Sequence, residues 1–431
     1  MYKELLEILK KEVKPALGCT APVAIAFAAA SARNAVGGEP ERVFVRMDKD
    51  TYKNTLAVGI PGTSLRGNEI SAALGALAGD ASAGMEVLKK ITPGDEKKAA
   101  VFLENTLVEI CWEKKGVGLW IEAEVKTSAG TGNAILAKTH TNIVFLEANG
   151  KIVIDTAESE TIGNAPDYSK DDIRKFTLSD LFDFSMGIDL EEIAFLSGGV
   201  EMNLRLAEAG LQDGIGAGFG RGFASLGGNS MVMRAKSLTA AASDARMAGY
   251  PLPAMCCATS GNVGITAMLP LFAMAEHMGR EKSEMLVRAV AFSCLLTILM
   301  KSHIGRLSAL CACAIAAGIG VAGGASILLG GDKGCAERAI RNISGALTGV
   351  VCDGAKYGCA LKLSSAAGLA IESAQFAEKG IVIPGGDGLV CDTGDETMAI
   401  IGRVAQEGMV TTSDVMAKII IERENGKKKG V

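Results

Sequence analysis

An uncharged stretch from Leu307 to Gly331 constrains the fold of this chain more than any other feature. Arg306 and Asp332 flank it directly, and its length alone would allow a helix to cross a bilayer. The glycines within it would weaken a membrane helix, but they suit close contact between neighbouring helices. We therefore expect a buried core helix, followed by a turn and the start of a second helix, and no membrane-spanning segment.

The composition supports a large folded core. Hydrophobic residues make up 48% of the 431 residues and charged residues 22%, which is typical of a globular chain of two or three domains. The 53 glycines and the low aromatic content of 5% favour helices that pack through small side chains. The formal net charge is −5 and no basic face is evident, so nucleic acid is not an expected partner.

Cysteine usage and the N-terminal segment indicate a cytoplasmic protein. The 11 cysteines are odd in number and irregularly spaced, which argues against a disulfide scaffold. The first 14 residues are charged and amphipathic, without the apolar segment of a signal peptide. We therefore expect a reducing cytoplasmic environment.

The hydrophobic pattern predicts a mixed N-terminal part and a helical C-terminal part. Residues 2–14 and 21–36 have helical patterns. Strands are predicted in three segments, the last with an Asn-Gly hairpin turn: Arg42–Asp48, Gly118–Thr127 and Asn142–Asp155. Beyond them one helical segment follows another, with Ser179 and Asp189 as candidate caps. The predicted fold class is α+β.

Four cysteines in the C-terminal part are candidate metal ligands. Cys311 and Cys313 are two residues apart, so on a helix they would point about 200° apart and could not both face one small site. Cys352 and Cys359 lie either two turns apart on one helix face or at the two ends of a loop. One cysteine of the first pair, together with Cys352 and Cys359, would supply three thiolates. A catalytic [4Fe–4S] cluster needs three thiolate ligands, and its fourth iron stays open to the substrate. Inert buried cysteines remain the alternative.

Three further segments carry candidate site residues. Cys19 precedes a predicted helix start, where the helix dipole favours a thiolate, although an incidental cysteine in a capping turn is equally consistent. Lys53 and Asn54 follow a strand and precede a Pro-Gly turn, so they belong either to an anion site or to a plain hairpin loop. Residues 260–264 read Ser-Gly-Asn-Val-Gly and open an apolar helix, where backbone amides would suit a carboxylate.

These segments together resemble the L-cysteine desulfidase family over nearly the whole chain. The resemblance rests on five motifs: LGCTAP, DTYKNTLAVGIPGT, SGNVGI, GRLSALCACAIAAG and CDGAKYGCALK. Members of that family are oxygen-sensitive [4Fe–4S] lyases that convert L-cysteine to pyruvate, ammonia and sulfide. The family is in turn similar to the iron–sulfur L-serine dehydratases.

The resemblance implies an arrangement of domains and a set of cluster ligands. Residues 1–185 would form a mixed domain like the dehydratase β domain, and residues 186–431 a helical, cluster-binding domain like its α domain, with the site between them. The ligands implied are Cys311, with Cys313 in reserve, then Cys352 and Cys359. Cys19 stands where the dehydratases carry histidine, and it would be either a fourth, displaceable ligand or a catalytic thiol.

The implied reaction is a β-elimination by an enzyme that takes a small amino acid. An open iron would act as Lewis acid on the leaving sulfur. Cys19 is the first candidate for the base, and His140 or Lys53 is the next candidate. The implied substrate-binding residues are Thr20, Asn54, Ser260, Gly261 and Asn262. The alternatives are L-serine dehydratase activity, a pyridoxal-phosphate desulfhydrase and a non-catalytic helical protein. A homo-oligomer, in particular a dimer, is expected.

Overall fold

The structure is an α+β protein, which confirms the predicted class. It is a computed structural model that describes residues 1–63, 65–105, 107–113, 119–156, 173–227, 230–305 and 308–428. Within these ranges, one six-stranded sheet and one two-stranded sheet accompany a large set of helices.

The helices fall into two groups along the chain. Those of the N-terminal part are α1 (Tyr2–Glu12), α2 (Thr20–Val36), α3 (Lys49–Thr55), α4 (Asn68–Ala78) and α5 (Pro93–Glu104), with a 3-10 turn at Ala81–Glu86. Those of the C-terminal part are α6 (Leu178–Gly187), α7 (Leu190–Ile193), α8 (Phe195–Gly210), α9 (Phe219–Leu226), α10 (Met231–Met247), α11 (Gly261–His277), α12 (Glu284–Ile304), α13 (Ile315–Leu328), α14 (Lys333–Leu347), α15 (Cys359–Glu378), α16 (Gly394–Arg403) and α17 (Val410–Lys428), with a π-helical turn at Val404–Gly408.

The strands confirm the alternating patterns of the N-terminal part. They are β1 (Val13–Leu17), β2 (Pro40–Asp48), β3 (Val108–Glu113), β4 (Trp120–Thr127), β5 (Gly130–Ala137), β6 (Ile143–Ala148), β7 (Lys151–Asp155) and β8 (Pro253–Cys257). The large sheet has the order β3-β2-β4-β5-β6-β7, and only β2 and β3 run parallel. The predicted hairpin joins β6 and β7 through Asn149 and Gly150, both at positive φ.

The described residues form two large hydrophobic cores, and each chain terminus packs against the core formed mainly by the other part of the chain. One core lies between the large sheet and α2 and α4, and the other lies among the helices of the C-terminal part. Leu5 and Leu9 of α1 are fully buried in the helical core, and β1 pairs with β8. At the other end, Ile421 of α17 packs against the sheet core. The boundary between residues 185 and 186 remains a prediction.

The uncharged stretch forms the buried helix that was expected. Its helical part is α13, every residue of which is buried, and after a turn α14 begins at Lys333. In the described part of the chain, a different helix, α12, is long and apolar enough to cross a membrane. Its most apolar window is 83% buried within the protein, as in a core helix.

Three local predictions were wrong. The segment after β2 is helix α3 and not a loop, because Asp48 caps it by accepting hydrogen bonds from the amides of Asp50 and Thr51. The cap of α6 is Thr177, which forms a capping box with Asp180, so Ser179 is not a cap. Asp189 does cap α7, as predicted.

The third error concerns the first cysteine pair. Cys311 and Cys313 precede α13 and lie in a turn, so the argument from helical spacing does not apply.

Candidate functional site

A single pocket brings together almost all of the side chains that the sequence singled out. It lies where α2 and α3 meet the first turn of α11 and the cysteine-bearing loops before α13 and α15. Ten predicted residues line it: Cys19, Thr20, Lys53, Asn54, His140, Ser260, Asn262, Cys311, Cys352 and Cys359. Gly261 lies behind the lining, packed against a neighbouring side chain.

Backbone hydrogen bonds hold the two cysteine loops side by side. The amide of Cys311 donates to the carbonyl of Val350 at 2.8 Å, and the amide of Cys352 donates to the carbonyl of Ala309 at 2.7 Å. These bonds flank an isolated antiparallel bridge between the loops. Cys359 is the first residue of α15, so the Cys352–Cys359 segment forms a loop that ends at a helix.

Both members of the first cysteine pair face this pocket, contrary to the prediction from helical spacing. A hydrogen bond from the Cys313 thiol lowers the pKa of Cys311 to about 7, even though burial opposes the shift. Burial raises the pKa of Cys352, and it raises that of Cys359 to about 11. The pocket therefore contains one thiol that ionises readily, beside others that need a cation or metal to do so.

The pocket wall is rich in positive charge. Among the described residues, four cationic side chains line it. Lys53, Arg246 and Lys301 are each at most 6% exposed, and the fourth is Lys362. Asp50 is the one carboxylate in the described part of the lining. Lys53 pairs with Asp50 and Lys362 pairs with Asp353, so part of this positive charge is balanced within the protein. Buried cations at such a site favour anions.

Cys19 and His140 lie on the N-terminal side of the pocket. Cys19 is the N-cap residue of α2, as predicted, and its side chain does not cap the helix amides. The next residue, Thr20, has its Oγ1 3.3 Å from Nε2 of His140. The start of α2 and the turn after β5 thus place a thiol, a hydroxyl and an imidazole along one wall.

Lys53 is held in place from three directions. Its ammonium lies 3.2 Å from a carboxylate oxygen of Asp50 and donates a 3.2 Å hydrogen bond to Ser413 of α17. Its carbonyl oxygen touches Gly354 in the second cysteine loop, so closely that the loop has no room for a side chain there. Lys53 therefore links α3, the C-terminal helix and the Cys352 loop.

The Ser-Gly-Asn motif forms the N-terminus of α11, as the sequence predicted. Ala258 and Thr259 have positive φ angles of 49° and 67°, which turn the chain sharply from β8 into the helix. Ser260 is the N-cap residue, but its side chain makes no capping hydrogen bond. Among the described residues the amides of the first turn thus have no side-chain cap, and they can receive an anion at the positive end of a 17-residue helix.

Arg246, Lys301 and Lys362 were missed at the level of sequence. Lys301 has a readable signal, since it ends an uncharged run from residue 289 to residue 300 and a lone charge there must find a buried partner. Arg246 lies in the last turn of α10. The helix dipole favours a basic residue at that position in any surface helix. Its local sequence gives no reason to place it in a pocket.

The donor set suits an iron–sulfur cluster better than a single metal ion. Within the described ranges, no three His, Cys, Asp or Glu side chains converge closely enough to hold one ion. A cubane cluster differs, since each thiolate binds a separate iron and the sulfurs stand apart. Cys311, Cys313, Cys352 and Cys359 line one pocket under a cationic wall, which fits a cluster that carries net negative charge.

Comparison with known proteins supports this chemistry. A model of the serine dehydratase alpha chain matches residues 82–418, well over half of the sequence. The chain belongs to the serine dehydratase alpha chain family. The match includes the α11 motif and all four cysteines of the two loops, whereas Cys19 and Lys53 lie before it.

Relatives of similar length match nearly the whole chain. A UPF0597 protein of Caldanaerobacter subterraneus subsp. tengcongensis is 40% identical over 98% of this chain and 100% of the relative. UPF0597 proteins of Clostridium tetani and Desulfotalea psychrophila are 38% and 39% identical, over 98% and 96% of this chain and 99% and 97% of theirs. Family membership supports an iron–sulfur, serine dehydratase-like lyase, and these names specify no substrate.

Proposed function

We propose that this protein is an iron–sulfur lyase that eliminates sulfide from L-cysteine, giving pyruvate and ammonia. The observation that carries the proposal is the convergence of two cysteine loops, the Cys19 turn and the α11 N-terminus on one cationic pocket. Four segments of the chain meet there, and together they supply candidate cluster ligands, a candidate base and an anion site.

The two cysteine loops are the proposed cluster site. Cys311, Cys352 and Cys359 would hold a [4Fe–4S] cluster, and Cys313 lies beside Cys311 in the same wall. When bound, such a cluster supplies a Lewis-acidic iron that stabilises the leaving thiolate. Lys53 and Lys362 lie close enough to the thiolate of Cys352 to stabilise its charge.

The N-terminal wall is the proposed site of proton transfer. The Cys19 thiolate accepts the Cα proton of the substrate, while the bond from Cβ to sulfur breaks and the sulfur leaves as sulfide. His140, whose Nε2 lies 3.3 Å from Oγ1 of the neighbouring Thr20, would take that proton onward. The 2-aminoacrylate product then reacts with water to give pyruvate and ammonia, so the reaction needs no external oxidant or reductant.

The choice of cysteine over serine rests on Cys19. In the resemblance to the dehydratases, Cys19 occupies the place of their histidine, in the motif LGCTAP. A thiol in that place suits a site that handles a sulfur leaving group. L-Serine dehydratase activity is the second candidate, because the family match covers the cluster loops and leaves the leaving group open.

Turnover of the two amino acids under anaerobic conditions tests the proposal. The protein is purified without oxygen, its iron and acid-labile sulfide are measured, and pyruvate formation is followed with L-cysteine and with L-serine. We expect a higher kcat/KM for L-cysteine, with one sulfide released per pyruvate. Equal or faster turnover of L-serine would assign the protein as a dehydratase. An aldimine absorbance band in iron-free, active protein would overturn the iron–sulfur proposal altogether.

Location and assembly are part of the same proposal. We expect a cytoplasmic homodimer, since an oxygen-sensitive cluster needs a reducing compartment. Light scattering after size-exclusion chromatography measures the assembly directly.

A further inference from the structure

We propose that Arg246 is the residue that recognises the α-carboxylate of the substrate, together with the N-terminus of α11. This inference rests on the proposed function, because it names the group through which the site selects free amino acids. It concerns a residue that neither the sequence motifs nor the family match singles out.

Arg246 bridges the two turns that face the substrate. Its Nη1 donates a 3.1 Å hydrogen bond to Oδ1 of Asn262, and its Nη2 donates a 2.9 Å hydrogen bond to the carbonyl of Gly18. The guanidinium thus joins the start of α11 to the residue before Cys19. Asn262, which the sequence assigned to the substrate, has its oxygen engaged by Arg246 and positions the guanidinium.

The guanidinium is buried and has capacity to bind an anion. Arg246 is 6% exposed, and its Nε has no hydrogen-bond partner among the described residues. In the same ranges no carboxylate forms an ion pair with it, and Asp50 of the pocket wall is paired with Lys53. A buried guanidinium whose two hydrogen bonds go to neutral oxygens retains a strong preference for an anion.

The backbone of α11 is shaped around this guanidinium. A Cβ on Gly261 would lie 2.8 Å from Cζ of Arg246 and closer still to Nε. Glycine therefore lets the first turn of the helix, with its free amides, lie directly against the planar guanidinium. A carboxylate at this point would accept hydrogen bonds from both, which is the planar, two-oxygen recognition for which arginine is suited.

Binding of a substrate analogue without a leaving group separates recognition from chemistry. L-Alanine and L-alaninamide are titrated into the anaerobically purified protein by calorimetry, for the wild type and the Arg246→Gln variant. We expect the wild type to prefer L-alanine over L-alaninamide. Arg246→Gln should weaken L-alanine binding on the order of 100-fold, the usual loss for a charge-assisted pair, and leave L-alaninamide almost unchanged.

Two further variants guard against a folding defect. Gly261→Ala keeps the arginine but displaces its guanidinium, so it should weaken L-alanine binding in the same direction. Arg338→Gln removes a half-buried arginine outside the pocket, whose Nε donates to the carbonyl of Ala377, and it should bind L-alanine like the wild type. Kinetics complete the set, since Arg246→Gln should raise KM for L-cysteine far more than it lowers kcat.

The outcomes distinguish this inference from the proposed function. Unchanged L-alanine affinity in Arg246→Gln, or an equal loss for the acid and the amide, would overturn the role of Arg246 whatever the enzyme's activity. Arg246-dependent binding of L-alanine by a wild type that eliminates nothing from cysteine or serine would support the carboxylate site and refute the lyase.

Discussion

Gly354 is the point at which the second cysteine loop rests on α3. Its φ of +100° lies in a region that side chains rarely adopt, and an added Cβ would fall inside 3.0 Å of the carbonyl oxygen of Lys53. The backbone strain costs about 1–3 kcal/mol, and relieving such overlap costs about 1–3 kcal/mol more. Gly354→Ala should therefore lower the free energy of unfolding by roughly 2–6 kcal/mol if the loop keeps its place.

The less costly response is for the loop to move away from α3. The added Cβ would lie within 3.0 Å of the Lys53 carbonyl oxygen, and ordinary contact begins at 3.4 Å, so the loop and α3 have to move apart until that contact distance is reached. Cys352 and Cys359 flank the glycine and move with it. Since a misplacement of about 1 Å can reduce a rate about 100-fold, we expect Gly354→Ala to retain little iron and little activity.

Iron content and urea unfolding of anaerobically purified protein measure both effects. Gly349→Ala is the matched control, because Gly349 precedes the same loop, has no positive φ and has nothing within 4 Å of an added Cβ. It should load iron and unfold like the wild type. Wild-type iron content and an unchanged urea midpoint in Gly354→Ala would refute the proposed contact between the cluster loop and α3.

Two further predictions follow from the described side chains. Replacing Cys311, Cys352 or Cys359 by serine should lower iron affinity by more than about 10–100-fold, which is the usual loss when a residue that only hydrogen-bonds a metal ligand is removed. Cys391→Ser, outside the pocket lining, should load iron normally. Equal iron in all four variants would contradict the ligand assignment. Burial lowers the pKa of His303 to about 4, so the unfolded chain takes up a proton first as pH falls from 6.5 to 4, and stability should fall over that window by up to about 3 kcal/mol. His303→Gln should flatten this part of the curve in urea titrations of the metal-free protein, and an unchanged slope would show that His303 is not the group responsible.

Local patterns predicted those elements whose stability is local. The strands β2, β4, β6 and β7 follow from alternation of apolar and polar residues, and the hairpin turn follows from Asn149 and Gly150. The helix starts at Cys19 and Ser260 were readable for the same reason, since a turn residue precedes an apolar run at each.

Predictions failed where a long-range contact outweighs the local preference. Cys311 and Cys313 are not helical, because the Cys311 amide bonds to Val350 in a distant loop and not within its own segment. Likewise Asp48, besides capping α3, accepts a hydrogen bond from the amide of Trp120, which lies 72 residues away. Neither partner can be inferred from the neighbouring sequence.

The sequence by itself determined the α+β class, the buried uncharged helix and ten of the residues that line the pocket. Tertiary structure decided that these residues meet, that both early cysteines face the same wall, and that Arg246 enters the site. The physical reason is burial. A cation in the last turn of a helix is usually hydrated at the surface, and it favours an anion once packing has removed that water. Only the folded chain shows that Arg246 donates to two neutral oxygens and that, among the described residues, its Nε has no acceptor, so the guanidinium favours an anion.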